Sequence, residues 1–385
     1  MVGTAWLGGG RVTAGLFIFG ILVGVCANAD DQALEKLVDR LPPLFPEEVS
    51  SAQLSVSEWE ALREAWASTL QYFEYGHMPP KPDRVWATET VERELPLGGI
   101  SEQRMTLLIG TYTRLPMRVA LYLPPGEGPF SILIREEHAL GHIEEVPSVL
   151  ERGYGFLEYA REDLDPDRPN VIGPAQAAYP EYDWATLAVW AWGGMRVVDY
   201  LETRDDIRMD QLGIIGHSRG GKMALLAGAL DDRFGLVVAN GSGAGGAGSY
   251  VVEDGKCESL EMITRPSRFG YWFHGRLRWF VDRRESLPFD QHFLKALVAP
   301  RALLCTEARE DLWANPRGTL VSSLAANKAF ERFGVSERNG LHFRDGRHDL
   351  RAEDWNAILD FADWHFRGIK PDSSDRFRPG FASAE

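Results

Sequence analysis

Cysteine is scarce in this 385-residue chain, with 3 in all, and none of them forms a C-x-x-C pair. An H-E-x-x-H spacing is missing too, so neither a metal nor another cofactor is expected. Positive charge is the minority sign: 41 lysines and arginines stand against 56 acids, a formal net charge of −15 at pH 7. That balance argues against nucleic acid or an anionic membrane as a partner. The one long apolar run, Ala14 to Val25, is too short for a comfortable membrane span. Internal repeats and long low-complexity tracts are also lacking, which fits one large domain.

What the apolar run does fit is an export signal. Residues 1–29 hold a single charge, Arg11, ahead of the run, and Ala27-Asn28-Ala29 closes it as an A-x-A cleavage site. A signal peptide over 1–29 places the mature protein in the periplasm or outside the cell, with no stable membrane insertion. Cys26 raises a lipoprotein alternative, but Val25 before it suits that site poorly. Of the two cysteines that remain, Cys305 falls in a strand that reads as central, so a buried free thiol is expected, although an oxidising compartment leaves a Cys257–Cys305 bridge open. The run Asp163-Leu-Asp-Pro-Asp167 imitates part of a calcium loop without its glycine or distal glutamate, and a solvated loop is expected there.

Strand patterns fall at Met105 to Thr111, Met117 to Leu123, Phe130 to Arg135, Tyr154 to Tyr159, Leu212 to Gly216, Gly235 to Asn240, Arg301 to Thr306 and Gly340 to Arg344. Helical patterns separate the later ones, so the chain reads as α/β, with a mostly parallel central sheet of about eight strands covered on both faces. The expected layout is a helical segment over 30–95 packed on the core, a catalytic domain over 96–370 and a flexible tail over 371–385. Within the first segment, Ser55-Val-Ser-Glu58 has the capping-box spacing and starts a helix running to Tyr75.

Chemistry concentrates at Leu212-Gly-Ile-Ile-Gly-His-Ser-Arg-Gly-Gly-Lys222, where an apolar strand runs into Gly216-His-Ser-Arg-Gly220 and then a small-residue helix. This is the pattern of a nucleophile elbow, in which flanking glycines permit a tight strand-to-helix turn that lifts the Ser218 hydroxyl clear of the backbone. The amide of Arg219, at the helix N-terminus, can then donate to an oxyanion. A three-layer α/β-hydrolase sandwich with acyl-transfer chemistry follows as the expectation. In that fold an acid and a histidine come later in the chain. His348, in the loop after the strand at Gly340 to Arg344, takes the histidine place, while His342 and His365 read as packing or surface residues. After the strand at Arg301 to Thr306, Glu307, Glu310 and Asp311 compete as the acid.

An insertion follows Asn240. It opens with the glycine-rich run Gly241 to Gly248 and continues through Phe269, Tyr271, Trp272, Phe273, Trp279 and Phe280, which suit either a lid's own small core or a surface for stacking sugar rings.

Several blocks together carry a resemblance. Trp190-Ala-Trp-Gly193, Gly216 to Lys222, Ser242-Gly-Ala-Gly-Gly246, Leu287-Pro-Phe-Asp-Gln-His292, Glu310-Asp-Leu-Trp-Ala-Asn-Pro316 and Gly346-Arg-His-Asp349 resemble, in order, the bacterial glucuronoyl esterases, carbohydrate esterase family fifteen. The resemblance implies cleavage of 4-O-methyl-glucuronoyl esters that join glucuronoxylan to lignin alcohols. It implies Ser218 as nucleophile, His348 as base, and Arg219 as a side chain that stabilises the oxyanion. Lys222, Glu258 and Trp313 are implied as contacts to the uronate ring. Many members carry a glutamate where this chain has Gly241, whereas others place the acid at the position of Asp311, which favours Asp311 here. Ser249-Tyr250 replaces an aromatic-arginine pair common in the family. Two other readings stand beside this one: an esterase for acetylated xylan or another small ester, and an inactive carbohydrate-binding relative. A monomer acting on a glucuronoxylan or lignin-carbohydrate ester is expected.

Overall fold

Val85–Leu95 (β1), Ile100–Ile109 (β2), Leu115–Leu123 (β3), Phe130–Glu137 (β4), Gly155–Ala160 (β5), Ile207–His217 (β6), Leu236–Asn240 (β7), Ala302–Ala308 (β8) and Asn339–Arg344 (β9) pair into one sheet, in the order β1-β2-β3-β5-β4-β6-β7-β8-β9. They belong to a computed structural model that describes residues 29–46, 54–95, 99–141 and 146–378. Pairs from β1 through β5 along the sheet are antiparallel, and every pair from β5–β4 to β8–β9 is parallel. Strands β5, β7 and β8 are buried at every position, as expected where helices cover both faces of a parallel sheet.

Two apolar cores lie on the two faces. One gathers Trp190, Trp192, Leu225, Met223 and Phe293 with the helices Thr186–Leu201, Arg219–Leu230 and Gln291–Ala296. The other packs Trp355, Ile358 and Phe361 of the helix Ala352–Arg367 against Ile215, Val238 and Leu304.

All eight expected strands are present, and a ninth precedes them. Residues 85–95, read as part of a helical segment, form the edge strand β1, which pairs antiparallel with β2. Its pattern was diluted for a physical reason: beyond Thr88 the strand is solvent-facing and charged, and a register shift between Thr88 and Val91, with Glu89 at φ 54°, breaks the alternation. The helix expected from Ser55 forms over Val56–Leu70 with its capping box in place, and widens to a π turn at Gln71–Tyr75.

The tail also departs from expectation. Ser374–Phe377 is a 3-10 turn, and Phe377 is buried against Phe361 with ring centroids 5.1 Å apart, because an aromatic side chain this close to the last helix gains more by docking than the chain loses in freedom. Residues 1–28, with the proposed signal peptide and Cys26, and 379–385 lie outside the described residues. No helix among the described residues is long and apolar enough to cross a membrane. Cys257 and Cys305 are both buried and free.

Candidate active site

Strand β6 delivers Ser218 at φ 57° and ψ −120°, and the helix Arg219–Leu230 begins at the next residue. A non-glycine residue held there stores about 1–3 kcal/mol, and the surroundings must over-determine it. They do so by close approach. A Cβ on Gly216 would lie 1.9 Å from the Gly220 carbonyl oxygen, and one on Gly220 would lie 1.9 Å from Glu136 Oε1. The Ser218 amide donates to the Asn240 carbonyl at 2.8 Å, tying the turn to β7.

Ser218 Oγ lies 2.9 Å from His348 Nε2, and His348 Nδ1 lies 2.5 Å from Asp311 Oδ2. With the ring proton on Nδ1 facing the carboxylate, Nε2 is left to accept from the serine. Asp311 is buried, and its other oxygen accepts from the Ala314 amide at 3.3 Å, which fixes its rotamer. The two competing acids point elsewhere. Glu307 is buried and accepts from the Thr319 hydroxyl at 2.9 Å; burial pushes its carboxyl up to about 8, and Asp311 adds to the rise. Glu310 is exposed and lies 4.0 Å from Arg347. Gly241 sits where a Cβ would be 3.5 Å from both Asp311 Oδ2 and His348 Nδ1, so its position faces the same imidazole nitrogen.

Arg219 is held from two directions. Its guanidinium donates to Asp167 Oδ2 at 2.5 Å and lies over the Trp272 ring, 4.9 Å from the centroid. Asp167 Oδ1 accepts from Tyr271 Oη at 2.7 Å and Trp272 Nε1 at 2.8 Å. Burial alone would push this carboxyl up, but the hydrogen bonds from Trp272, Tyr271 and Arg219 hold it below the ordinary carboxylate range. The run Asp163 to Asp167 is therefore not the solvated loop expected: Asp163 pairs with Arg118, Asp165 is fully buried, and Asp167 anchors Arg219. Asp167 turns inward because donors await it, whereas burial pushes the Asp165 carboxyl up to about 6.

Lys222, one turn into the elbow helix, is buried, and its ammonium donates to Ser242 O at 2.5 Å, Ala244 O at 2.7 Å and Glu258 Oε2 at 2.7 Å. The Glu258 amide donates to the Trp313 carbonyl at 2.9 Å, and the half-buried Trp313 ring lies under Arg268 at 5.0 Å. Lys222, Glu258 and Trp313 thus come together on the β7–β8 side of Ser218. The aromatic insertion mostly joins the main core. Trp272, Phe273 and Phe280 are buried, and only Trp279 stands 54% exposed.

Sequence reasoning passed over His217 and the wall beside it. His217 Nδ1 donates to Asn240 Oδ1 at 2.5 Å, and its ring centroid lies 4.7 Å from that of His348. Burial pulls this imidazole down to about 4, so it stays neutral and sets no second cation against a protonated His348. On the β4–β5 side a cleft of about 680 Å³ opens beside Ser218, Arg219 and His348, walled by Arg135, Glu137, His138, Arg161, Glu162 and Arg168. The available signal was topological: the chain steps from β4 to β5 toward one edge of the sheet and from β6 onward toward the other, and in such sheets ligands bind beyond the strand ends at that switch.

A family model described as glucuronyl esterase of fungi matches residues 113–334. The chain belongs to the glucuronoyl esterase family. Membership makes it a carboxylic ester hydrolase on an α/β-hydrolase fold. A carbohydrate esterase from an unknown prokaryotic organism is 35% identical over 247 residues, 58% of this chain and 56% of that protein, so the chain spans little more than half of that relative. The 4-O-methyl-glucuronoyl methylesterase of Schizophyllum commune is 27% identical over 83% of this chain and 79% of its own. Among solved structures, a glucuronoyl esterase from Caldicellulosiruptor kristjansonii superposes with a TM-score of 0.74 at 29% identity, covering 86% of this chain and 91% of that one.

Proposed function

We propose that this esterase hydrolyses 4-O-methyl-glucuronoyl esters through Ser218, His348 and Asp311. The observation that carries the reading is the unbroken hydrogen-bond chain from Ser218 Oγ through His348 to the buried Asp311 carboxylate. His348 Nε2 takes the serine proton as Oγ attacks the uronoyl carbonyl carbon. The oxyanion meets the Arg219 amide and guanidinium. As the acyl-to-alkoxyl bond breaks, Nε2 returns the proton to the departing alcohol. Water, deprotonated by the same nitrogen, then attacks the acyl-serine ester and frees the uronate. Asp311 holds the imidazole in the tautomer that leaves Nε2 unprotonated and stabilises the imidazolium.

The uronate ring is assigned to the β7–β8 side, where Glu258 pairs with Lys222 through one oxygen while its other oxygen has no partner among the described residues. That oxygen can accept from a ring hydroxyl without breaking the pair. Family membership supports this assignment, and the triad geometry speaks for an active enzyme over an inactive binder. Ser218→Ala should lower turnover of methyl glucuronate by about 10⁵-fold or more while leaving the melting temperature within a few degrees, since alanine fits the same backbone. Near-normal turnover in that variant would overturn the mechanism. A parallel assay with an acetyl ester separates this substrate class from a small-ester esterase.

A further inference from the structure

The polar cleft is larger than a methyl leaving group needs, and its chemistry is selective. Its volume of about 680 Å³ lies within the range of small-molecule sites. Among the described residues, no aromatic or aliphatic residue lines it: beside the catalytic floor the wall is Arg135, Glu137, His138, Arg161, Glu162 and Arg168. Arg135 pairs with Glu137 at 2.9 Å and His138 with Glu162 at 3.0 Å, while Arg161 bonds Glu136, which also lines the cleft. Arg168 is exposed and has no ion-pair partner among the described residues. The nearest aromatic groups stand behind this lining and turn polar atoms toward it: Tyr271 and Trp272 donate to Asp167, a lining residue, and Trp272 lies beneath the Arg219 guanidinium and stacks on Phe269 at 4.2 Å.

We propose that this cleft receives the alcohol half of the ester, and that the alcohol it takes is polyhydroxylated, a sugar or glycerol-like group, in place of an aromatic one. The inference rests on the uronate-esterase reading and adds the leaving-group class to it. Sheet order separates the two halves of the substrate: the ring contacts Glu258 and Trp313 follow β7 and β8, the cleft follows β4 and β5, and Ser218 stands between them after β6. His348, which must protonate the departing oxygen, lines the cleft. An aromatic group seated there would strip water from paired charges and return no hydrogen bond, at about 1–3 kcal/mol for each group left unsatisfied. A polyol replaces those waters, because each hydroxyl both donates to a carboxylate and accepts from a guanidinium. Arginines and carboxylates are evenly matched around the cleft, which suits a neutral ligand over an anion.

The test fixes the acyl half as glucuronate and varies the alcohol. Methyl, benzyl, glyceryl and hexose 6-O-esters are compared by kcat/KM, benzyl and glyceryl serving as the pair of similar alcohol acidity. The glyceryl and hexosyl esters should exceed the benzyl ester by about tenfold or more. In Arg168→Ala the hexosyl-to-methyl ratio should fall several-fold, because this exposed side chain can be truncated without disturbing the fold. A benzyl ester cleaved as fast as the hexosyl ester, or faster, overturns the inference while leaving the uronate esterase standing. Failure to cleave any uronate ester, methyl included, overturns the function itself and the inference with it.

Discussion

The two flanks of Ser218 handle buried charge in opposite ways. On the β7–β8 flank, Lys222 and Glu258 are closed off together, Asp290 is fully buried among hydrogen-bond donors, and Glu307 is fully buried with the Thr319 hydroxyl as its one donor among the described residues. On the β4–β5 flank, acids are met by arginines in a chain from Arg135 through Glu137 and from Arg161 to Glu136, open to solvent along one edge. The first arrangement fixes positions, since a buried pair cannot move without leaving a charge unpaired. The second leaves donors and acceptors to exchange with a ligand. A rigid side and an exchangeable side meet at the serine, and the triad acid belongs to the rigid one.

After loss of the nucleophile itself, the largest expected effect breaks that link. Asp311→Asn should reduce turnover by about 10³ to 10⁴-fold with little change in KM, as loss of a sole triad carboxylate does. Gly241→Glu in that background should recover part of the activity, because a side chain from Gly241 starts 3.5 Å from His348 Nδ1. Gly241 has φ +50°, so the gain is set against backbone strain. Normal turnover in Asp311→Asn alone would show that the acid lies elsewhere.

Next comes the rigid flank itself. Lys222→Ala leaves Glu258 unpaired and should cost about 3–5 kcal/mol of stability. Where the protein still folds, glucuronate esters should lose much more activity than acetyl esters if Lys222 and Glu258 hold the uronate ring. Equal losses on both would make Lys222 a strut for the glycine-rich loop and nothing more. On the open flank, Asp167→Asn should lower kcat by about 10 to 100-fold on glucuronate and acetyl esters alike, since it frees the Arg219 guanidinium that serves the oxyanion in either case. Adding Arg219→Ala should then cost little further. An unchanged kcat with a lower melting temperature would make Asp167 only an anchor for Tyr271 and Trp272.

Much of the rigid flank was legible in the sequence and little of the open one. Gly216-His-Ser-Arg-Gly220 announces its own geometry, because only glycine fits where Gly216 approaches the Gly220 carbonyl. His348 and the three candidate acids Glu307, Glu310 and Asp311 follow from strand counting in a fold whose chain order is fixed, and the family resemblance favoured Asp311 among them. Asp167 has no such signal: its neighbours Asp163 and Asp165 share its chemistry, and only tertiary contact with Tyr271 and Trp272, 104 and 105 residues away, distinguishes it. The cleft was equally hidden, since Arg135, Glu137 and His138 read as the polar end of a strand. Edge strand β1 escaped because exposure of both faces beyond Thr88 and a bulge erase the alternation that marks a strand.

The smallest effect on turnover comes from Glu307, and it tests how the rigid flank keeps a carboxyl out of water. Burial raises this group from an ordinary value of 4.5 to about 8 in the folded chain. Between those values the unfolded state releases the proton and the folded state keeps it. The stability it contributes is therefore complete below about pH 4.5 and is lost progressively as pH rises to about 8. Glu307→Gln removes the proton from the balance, so the variant should lose less stability than the parent across that window, by roughly 1 kcal/mol per pH unit at most. Urea unfolding of both proteins from pH 5 to about 9 reads the difference, with activity at pH 7 nearly unchanged because the side chain faces Thr319 and not His348. Parallel pH profiles for the two proteins would mean that Glu307 is ionised in the fold, and the contrast between the flanks would reduce to exposure alone.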